Sequence, residues 1–541
     1  MRILKFIKNN TVLLLFLISL STRLYWLFFG MPSVTNDEAD IYTSAYIFGR
    51  TLKDYYGNWG FLTTGILTAK PSLPIYIGAI PWFFTSIKSV ILARLPFVLL
   101  NSISPVLLYS IIKSFKIGKR LPFLAFFVIN FSPWFSYPST TGYEAMVVLF
   151  FILLFFRITV SRIKMIIKIP LSLIIGFLAF NSYMGTKPVF PFILFIGFLF
   201  YLNVHKNEFT KKQIFSAIVF SIVTFSIFIG INYIAPNSTL VKREYQIMLN
   251  YYEKPQIEGK VWFERWTSKG PDKLIALLSN KFTIRLKDYA SKYFISFNPQ
   301  LFFQKGDPSS LYGTADLSGL FFITDFVFFI LGLYFLSGIK NRGIYILLAL
   351  FFVGGLPVAL SNSSPTFILR GVILLIPYSI LIAYGMEQGI KKWRYGIMFL
   401  TILFAINYAL FITVYSVRIT NLNGEQWKYT IKLISEKIDL IKNNYTNITI
   451  YNPEARETFF QYAFYNINDA HIIIDRMKNQ NYIYQNIKVT ILCPKKVPKQ
   501  NELVVMNREF CGVPSKEETN ILTTIEPLDR SGNDYYFFSG R

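Results

Sequence analysis

The sequence predicts a polytopic α-helical membrane protein that ends in a small α/β domain. Apolar runs recur along positions 1–418, and most have the roughly twenty residues that a helix needs to cross a hydrocarbon core of ~30 Å at ~1.5 Å per residue. Hydrophobic residues make up 53% of the 541-residue chain and charged residues 16%, which is less charge than a soluble domain carries. The polar segment 419–541 mixes amphipathic helical stretches with the β-like runs NITIYN, HIIID, KVTILC and ELVVM.

Each apolar run is expected to be a helix, because its backbone groups find no water inside the bilayer and must bond to one another. By the length rule we expect about 11–13 transmembrane helices. The runs that predict crossings are 9–30, 90–113, 119–137, 142–160, 167–186, 188–204, 212–235, 318–338, 343–361, 367–388 and 394–418.

The run 71–87 decides the predicted topology. It holds three prolines, and we expect it to turn back or stay on one side. Basic loops such as FKIGKR, HKNEFTKK and KKWR then share the side of the N-terminus, which the positive-inside rule makes cytoplasmic. The prediction is an integral plasma-membrane protein with a transmembrane domain at 1–418, outer loops at 31–89 and 236–317, and an extracytoplasmic domain at 419–541.

The net charge of +25 raises nucleic acid as a partner, but basic residues in short loops between apolar runs are typical of membrane orientation. We therefore expect no nucleic-acid partner and expect contact with anionic membrane lipids. The two cysteines, Cys493 and Cys511, both lie in the C-terminal segment. They are two free thiols or, in an oxidising compartment, a disulfide. Their spacing leaves both alternatives open.

Three acidic residues lie at the predicted outer face. Asp37 and Glu38 follow the first helix, and Glu144 opens the helix after the loop STTGY. Acids favour a helix N-terminus, so all three have a simple explanation as helix caps. The alternative is a carboxylate that acts as general base on an acceptor hydroxyl, with a second acid that orients it. Acids at membrane depth are costly, which favours a function.

Four cations come from separate loops on the same predicted face: Lys70, Arg94, Lys187 and Arg370. Each alone is typical of a snorkelling anchor, whereas four together indicate a phosphate or diphosphate site. The sequence has no Walker loop, no GxGxxG after a predicted strand and no HExxH. Since the chain has two histidines, a histidine-rich metal site is excluded. We assign no metal ligand, and a carboxylate-bound divalent ion stays open.

Several stretches resemble a known family. They are NDEADIYTSAYIFGRTLKDYYGNW, KPSLPIY, ARLPF, SPWFSYPSTTGYEA, FNSYMGTKPVFP, YFISFNPQLFFQKGD and LPVALSNSSPTFILRGVILLIP, spread over positions 36–380. They are similar to bacterial polyprenyl-phosphate-dependent glycosyltransferases of the GT-C fold, in the family 39 and aminoarabinose-transferase-like group related to protein O-mannosyltransferases. The acidic dipeptide alone is a weak motif. The resemblance becomes specific because KP, RLP, GYEA and LRG follow the dipeptide along the chain in the order and spacing of the family.

The resemblance implies a hexosyl- or pentosyltransferase that takes a sugar from a polyprenyl-phosphate carrier. Direct displacement of the carrier predicts inversion of the anomeric centre. The acceptor is a lipid, glycan or protein on the outer membrane face. The resemblance also implies that Asp37 is the catalytic base or acceptor-binding acid, with Glu38 beside it, and that Glu144 is the second acid. Lys70 and Arg370 then meet the carrier phosphate.

Two positions depart from the family pattern. Lys187 stands where many relatives have arginine, which keeps the charge but loses the bidentate fork. Phe367 stands where a histidine is common, which argues against a metal or proton role there.

Three other functions compete with this hypothesis. One is a lipid-linked oligosaccharide transferase or polymerase that uses a diphosphate donor and a divalent ion. Another is a non-enzymatic lipid or sugar transporter, which predicts polar residues at the bilayer midplane and inverted repeats. The third is a non-catalytic scaffold. The concentration of polar groups at one predicted face favours an enzyme.

Overall fold

The computed structural model describes residues 10–57, 65–66, 70–205, 210–234, 254–307, 318–338, 341–361, 369–393, 395–515, 517–527 and 534–540. Phe367 and parts of the predicted outer loops 31–89 and 236–317 lie outside the described residues. What the sequence predicts for them stays a prediction.

Most of the described chain is helical. The α-helices are Thr11–Phe29, Asn36–Thr51, Ser72–Ala79, Val90–Ser114, Leu121–Phe131, Pro133–Ser136, Glu144–Thr159, Met165–Phe180, Phe190–His205, Lys211–Ile234, Lys254–Thr267, Asp272–Leu278, Lys281–Ile295, Asp325–Tyr334, Arg342–Leu348, Leu350–Gly354, Leu356–Ala359, Leu375–Lys392, Gly396–Asn423, Tyr429–Ile441, Ala455–Asn466, Ala470–Lys478 and Arg508–Cys511. Short 3-10 turns lie at Ile80–Phe83, Pro138–Thr140, Met184–Val189, Leu336–Gly338, Val372–Leu374 and Lys442–Asn444, and a π-helical turn at Leu301–Lys305.

Within the described residues, seven helical stretches are long and apolar enough to cross a membrane. They are Thr11–Phe29, Val90–Ser114, Met184–Asn203, Lys211–Asn232, Arg342–Ala359, Val372–Lys392 and Gly396–Arg418. The bent pair Pro133–Thr140 and Glu144–Thr159 adds an eighth if it forms one span. Shorter apolar helices lie at Ser72–Phe83, Leu121–Phe131, Met165–Phe180 and Asp325–Tyr334. The predicted class, an integral polytopic membrane protein, is confirmed, and the number of crossings stays a prediction.

The run 71–87 forms a short helix rather than a full crossing. Ser72–Ala79 has 8 residues and continues as the 4-residue turn Ile80–Phe83. At ~1.5 Å per residue this stretch is much shorter than a hydrocarbon core of ~30 Å, so it does not cross by itself. It packs against the helix Asn36–Thr51.

The crossing predicted at 119–137 is interrupted. Its first helix ends at Phe131, and Pro133 begins a separate short helix. Proline has no amide hydrogen and its ring clashes with the preceding turn, so it ends a helix. The amide of Trp134 donates instead to the carbonyl of Leu320, at 3.0 Å.

The chain divides into two compact units. We call Met1–Ser19, Asn101–Ser136 and Glu144–Tyr408 the bundle unit, and Leu20–Leu100, Tyr137–Tyr143 and Ala409–Arg541 the sheet unit. The predicted domain boundary after residue 418 stays a prediction.

Glycines permit close helix packing in the bundle unit. The helices Asp325–Tyr334 and Leu375–Lys392 pack side by side. A β-carbon on Gly385 would lie 1.8 Å from the carbonyl oxygen of Phe328, and one on Gly332 would lie 2.1 Å from that of Leu381. Any larger side chain would therefore separate the helices, which is why small residues occupy such contacts in membrane bundles.

The sheet unit ends in a mixed six-stranded sheet. Its strands are β1 Asn447–Tyr451, β2 Ile483–Tyr484, β3 Ile487–Thr490, β4 Glu502–Asn507, β5 Thr519–Ile525 and β6 Tyr535–Gly540. The spatial order is β2-β3-β1-β4-β6-β5. β1 pairs in parallel with β3 and β4, and the other pairs are antiparallel. In the β1–β4 pair, Ile450 lies opposite Val505. The predicted small α/β domain is confirmed.

One predicted β-like run is wrong. HIIID, at positions 471–475, lies within the helix Ala470–Lys478. The side chain of Asp469 accepts hydrogen bonds from the amides of His471 and Ile472, as an N-cap residue does. A short apolar run does not separate strand from buried helix by periodicity. The open question about the cysteines is answered by a disulfide between Cys493 and Cys511.

Within the sheet unit, the first predicted outer loop packs on the C-terminal helices. The Tyr46 hydroxyl donates to the carbonyl of Asn468 at 2.6 Å, and the Val34 amide donates to the Tyr465 hydroxyl at 3.3 Å. Each bond joins residues more than 400 positions apart in sequence. The first predicted outer loop and the C-terminal segment therefore pack together within the sheet unit.

Lys88 is a partly buried lysine in this packing. Its ammonium donates to the carbonyls of Ala463 and Ile467, at 2.7 and 2.5 Å, at the end of the helix Ala455–Asn466. It also lies 4.7 Å from the centre of the Tyr46 ring. Burial lowers the pKa of Lys88 to about 7, because the charged form loses its hydration.

Stability is expected to rise with pH above about pH 7. Over that range the unfolded chain binds a proton at Lys88 that the folded chain has released, because the folded pKa lies below the ordinary 10.5. The linkage amounts to about 1.4 kcal/mol per pH unit. The apparent melting temperature of the purified protein should rise from about pH 7 to about pH 9. The rise should be smaller in Lys88→Met.

Lys53 provides the control, since it is an exposed lysine of the same loop. Lys53→Met should keep the wild-type rise. An equal rise in Lys88→Met and wild type would rule out Lys88 as its source.

Candidate active site

The predicted acidic pair opens the helix Asn36–Thr51. Thr35 is the N-cap residue, and its hydroxyl accepts from the amide of Glu38 at 3.1 Å. The Glu38 carboxylate in turn accepts from the amide of Thr35 at 3.3 Å. This reciprocal pair is a capping box. It fixes the first helical turn and therefore the directions in which Asp37 and Glu38 point.

Glu38 is fully buried against Arg94. The Glu38 side chain is 0% exposed, and the guanidinium donates from Nη2 to its Oε2 at 3.0 Å and from Nε to its Oε1 at 3.1 Å. Arg94 also donates to the carbonyls of Met31 and Ser33 at 2.6 and 2.8 Å. Its guanidinium lies 5.5 Å from the centre of the Trp427 ring. The pair is thus bidentate and withdrawn from water.

Tyr42 completes the coordination of Glu38. Its hydroxyl donates to Glu38 Oε1 at 2.7 Å and accepts from the amide of Gly142 at 2.7 Å. Burial, and next the negative charge of Glu38, raise the pKa of Tyr42 well above its ordinary value. The phenol therefore stays a donor. With Thr35 and Arg94, it gives each carboxylate oxygen of Glu38 two hydrogen bonds.

Asp37, the neighbouring acid, has a different environment. Its side chain is 40% exposed. Oδ1 lies 2.6 Å from the ammonium of Lys70, whose side chain is 9% exposed, and Oδ2 accepts from the Tyr143 hydroxyl at 2.9 Å. A carboxylate held at both oxygens and open to solvent is oriented and still accessible to a ligand.

Three predicted site residues lie in the bundle unit. Glu144 is buried and begins the helix Glu144–Thr159. Lys187 is buried in the turn Met184–Val189, and its ammonium lies 4.9 Å from the centre of the Phe180 ring. Arg370 is partly buried just before the turn Val372–Leu374, which packs on the helix of Glu144.

The structure thus brings four of the predicted residues together in the sheet unit, as the pairs Asp37–Lys70 and Glu38–Arg94. The sequence did not predict roles for Tyr143 and Tyr42. Tyr143 precedes Glu144 in the motif GYEA. The sequence analysis therefore singled out the right motif, but it assigned the functional role to Glu144 and none to Tyr143. Within the described ranges, no three His, Cys, Asp or Glu side chains are placed to share a metal ion.

The chain is a polytopic membrane protein whose sheet unit holds an accessible carboxylate between a lysine and a tyrosine. No protein-family profile and no curated protein matches its sequence. It is similar to the archaeal oligosaccharyltransferase AglB from Archaeoglobus fulgidus, solved with an inhibitory peptide and a dolichol-phosphate. The identity is 11%, the match covers 93% of this chain and 70% of that chain, and the TM-score is 0.45.

Two further solved structures are similar. The Archaeoglobus fulgidus oligosaccharyltransferase in complex with zinc and sulfate is 11% identical, with 92% of this chain and 68% of that chain covered and a TM-score of 0.43. ArnT from Cupriavidus metallidurans in the apo state is 10% identical, with 99% of each chain covered and a TM-score of 0.39. The role of each site residue therefore follows from the contacts in this chain.

Removing the charge of Glu38 is expected to destabilise the fold. Glu38→Gln leaves the Arg94 guanidinium, 1% exposed, without its counter-ion, and breaking a buried ion pair from one side costs about 3–5 kcal/mol. The apparent melting temperature in detergent should fall clearly. Asp37→Asn is the matched control at the adjacent position and should lower the melting temperature less, because that side chain is 40% exposed and the amide oxygen of Asn still accepts from Lys70. Equal melting temperatures for the two variants would contradict the structural role of Glu38.

Proposed function

We propose that this protein is a membrane glycosyltransferase that moves a sugar from a polyprenyl-phosphate carrier to a lipid, glycan or protein hydroxyl on the outer membrane face. The observation that carries the proposal is the setting of Asp37. It is an accessible carboxylate with Lys70 at 2.6 Å and Tyr143 at 2.9 Å. A general base next to a cation is what the transfer of a sugar from a phosphate requires. The donor class comes from the sequence resemblance.

The proposed reaction is a direct displacement. An acceptor hydroxyl gives its proton to the Asp37 carboxylate, and its oxygen forms a bond to the anomeric carbon of the sugar. The bond from that carbon to the carrier phosphate breaks, and its electron pair leaves with the phosphate. Attack from the opposite face inverts the anomeric centre. Tyr143 holds Asp37 in place through Oδ2.

Lys70 connects the base to the donor in this mechanism. Phosphate is a good leaving group, so the cation stabilises charge rather than supplying a proton. The Lys70 ammonium bonds Asp37 Oδ1. In the proposed mechanism it contacts the carrier phosphate as well as the base. Lys187 and Arg370 stay candidates for the same phosphate from the resemblance, and Glu144 for the second acid.

Glu38 and Arg94 receive a different role in the proposal. All four hydrogen bonds to the Glu38 carboxylate come from the protein, and the Arg94 side chain is 1% exposed. Using either group on a substrate would break the buried pair, at a cost of about 3–5 kcal/mol. We therefore propose that the pair positions Asp37. The burial of both side chains favours this role over the roles predicted from the sequence, which were catalysis for Glu38 and phosphate binding for Arg94.

The outer-face location belongs to the same proposal. The basic loops favour a cytoplasmic N-terminus, which leaves 31–89 and 419–541 outside. The Cys493–Cys511 disulfide supports this orientation, because such bonds persist in oxidising compartments. Each proposed step uses groups of this chain and of the two substrates.

Asp37→Asn is expected to abolish transfer. Loss of a general base lowers the rate about 100- to 10,000-fold. The assay is mass spectrometry of envelope lipids, glycans and glycoproteins from cells that lack the gene, complemented with wild type or variant. Wild type should restore a product heavier by one sugar residue, and Asp37→Asn should not. Asp272→Asn, an exposed acid in the first turn of another helix, should restore it. Restoration by Asp37→Asn at equal protein level would sink the proposal.

Lys70→Met is expected to weaken donor binding. A hydrogen bond to a charged group is worth about 1.5–3 kcal/mol, which corresponds to a rise of roughly 10- to 150-fold in the KM for the carrier. Lys70→Arg keeps the charge and should lose less. The measurement is the initial rate against carrier concentration in purified protein, with the sugar identified by the envelope comparison. An unchanged KM in Lys70→Met would exclude Lys70 from the phosphate site.

A further inference from the structure

The sheet unit contains a cavity of about 410 Å³ next to the first helical turn of the site. Asn36, the residue before Asp37, lies in its wall together with residues of the C-terminal segment. The volume falls in the range of small-ligand pockets, about 300–1,000 Å³. The cavity therefore has the size and the place to receive part of a substrate that reaches Asp37.

The cavity wall is acidic in a basic protein. Its charged side chains are four glutamates, Glu425, Glu454, Glu457 and Glu509, and one lysine, Lys428, whereas the chain as a whole carries +25. The lysine is paired with Glu454 at 2.6 Å. Such a wall repels a phosphate and attracts a cation, so the carrier phosphate does not belong here.

Two of the carboxylates are available to a ligand. None of the ion pairs formed within the described residues includes Glu457 or Glu509. Glu457 is partly buried and Glu509 is exposed, so a ligand can reach both from solvent. Two such acceptors in one cavity match a group with several N–H donors.

A second, independent observation is that Gln461, another residue of the cavity wall, has a buried oxygen that accepts no hydrogen bond from the described residues. Its side chain is 1% exposed, and its Nε2 donates to the carbonyl of Val34 at 3.3 Å and to Asn36 Oδ1 at 3.1 Å. Because a carbonyl only accepts, the amide nitrogen must be at that end. Gln461 Oε1 is then a buried acceptor without a hydrogen bond from any described residue, and Gln461 is one of the residues that line the cavity. Buried acceptors are normally satisfied, and a ligand N–H would satisfy this one.

We propose that this cavity binds a primary ammonium group, with Glu457 and Glu509 neutralising its charge and Gln461 Oε1 accepting one of its hydrogens. The ammonium belongs to the acceptor, a step that rests on the proposed function. Gln461 links the cavity to Asn36, so an acceptor held there is placed beside Asp37. The site therefore selects acceptors that carry an amine near the reacting hydroxyl.

The test compares ethanolamine with ethylene glycol, which has a hydroxyl in place of the ammonium. Binding to purified full-length protein is followed by ligand-observed NMR titration. Ethanolamine should bind at least about tenfold more tightly, equivalent to about 1.4 kcal/mol. The preference should weaken as salt rises, because ions screen the carboxylates. Equal binding of the two ligands overturns the proposal, and this comparison needs no variant.

The double variant Glu457→Gln with Glu509→Gln keeps the shape of the cavity and removes two charges. It should lose the preference for ethanolamine at an unchanged melting temperature. The matched control is Glu517→Gln with Glu518→Gln, two exposed glutamates of the same segment outside the cavity wall, which should keep it. A preference retained by the cavity variant overturns the assignment.

Asp37→Asn separates this inference from the proposed function. That variant should still prefer ethanolamine, since Asp37 does not line the cavity. If wild type prefers ethanolamine but transfers no sugar, the ammonium site is supported and the proposed glycosyltransferase activity is contradicted. If wild type transfers a sugar but has no preference for ethanolamine, the activity is supported and the ammonium site is contradicted.

Discussion

The ion pair between Glu38 and Arg94 connects separate parts of the sheet unit at one buried point. Its partners include the backbone of Met31 and Ser33 and the ring of Trp427. Removing two charges from water costs several kcal/mol per ion. That cost is offset here because the geometry is bidentate and the remaining donors and acceptors are bonded. A pair of this kind tolerates little movement, so it determines where the helix Asn36–Thr51 begins.

The orientation of Asp37 follows from that anchor. Successive helical residues differ by ~100° around the axis, so a turn that points Glu38 into the core directs Asp37 away from it. The burial agrees, with Glu38 at 0% and Asp37 at 40% exposure. Two adjacent carboxylates therefore do different work, one structural and one open to ligands. Environment rather than residue type separates them, as it does in other paired acids.

The sequence predicted the membrane class and the α/β segment. It also identified the four residues of the two ion pairs as candidate site residues, without their pairing. It did not tell which acid of Asp37-Glu38 is buried, because the rotation of a helix about its axis is decided by tertiary packing. One local signal was available, since Thr35 and Glu38 have the T-x-x-E spacing of a capping box. The run HIIID looked like a strand because its length suits either element, and the Asp469 cap decided for helix.

Contacts between distant segments were beyond sequence reasoning. Gln461 has nothing unusual in its neighbourhood, and its role depends on Val34 and Asn36, more than 400 positions away. The same holds for Lys88, whose acceptors are carbonyls at the end of the helix Ala455–Asn466. Every residue has a backbone carbonyl, so the pattern of side chains does not predict which carbonyls will accept hydrogen bonds from a distant lysine.

A lysine and an acidic cavity both adjoin the first turn of the helix Asn36–Thr51. Lys70 contacts its carboxylate directly, while Asn36 and Gln461 lead to a cavity with four glutamates and one lysine. The acidic cavity would repel an anionic donor, and Lys70 would repel a cationic acceptor. Charge alone would therefore direct each substrate to its own site. In the proposed reaction the base lies between them. The capping box and the buried pair fix the helical turn that carries Asp37, so the anchor of the fold and the proposed reaction depend on the same turn.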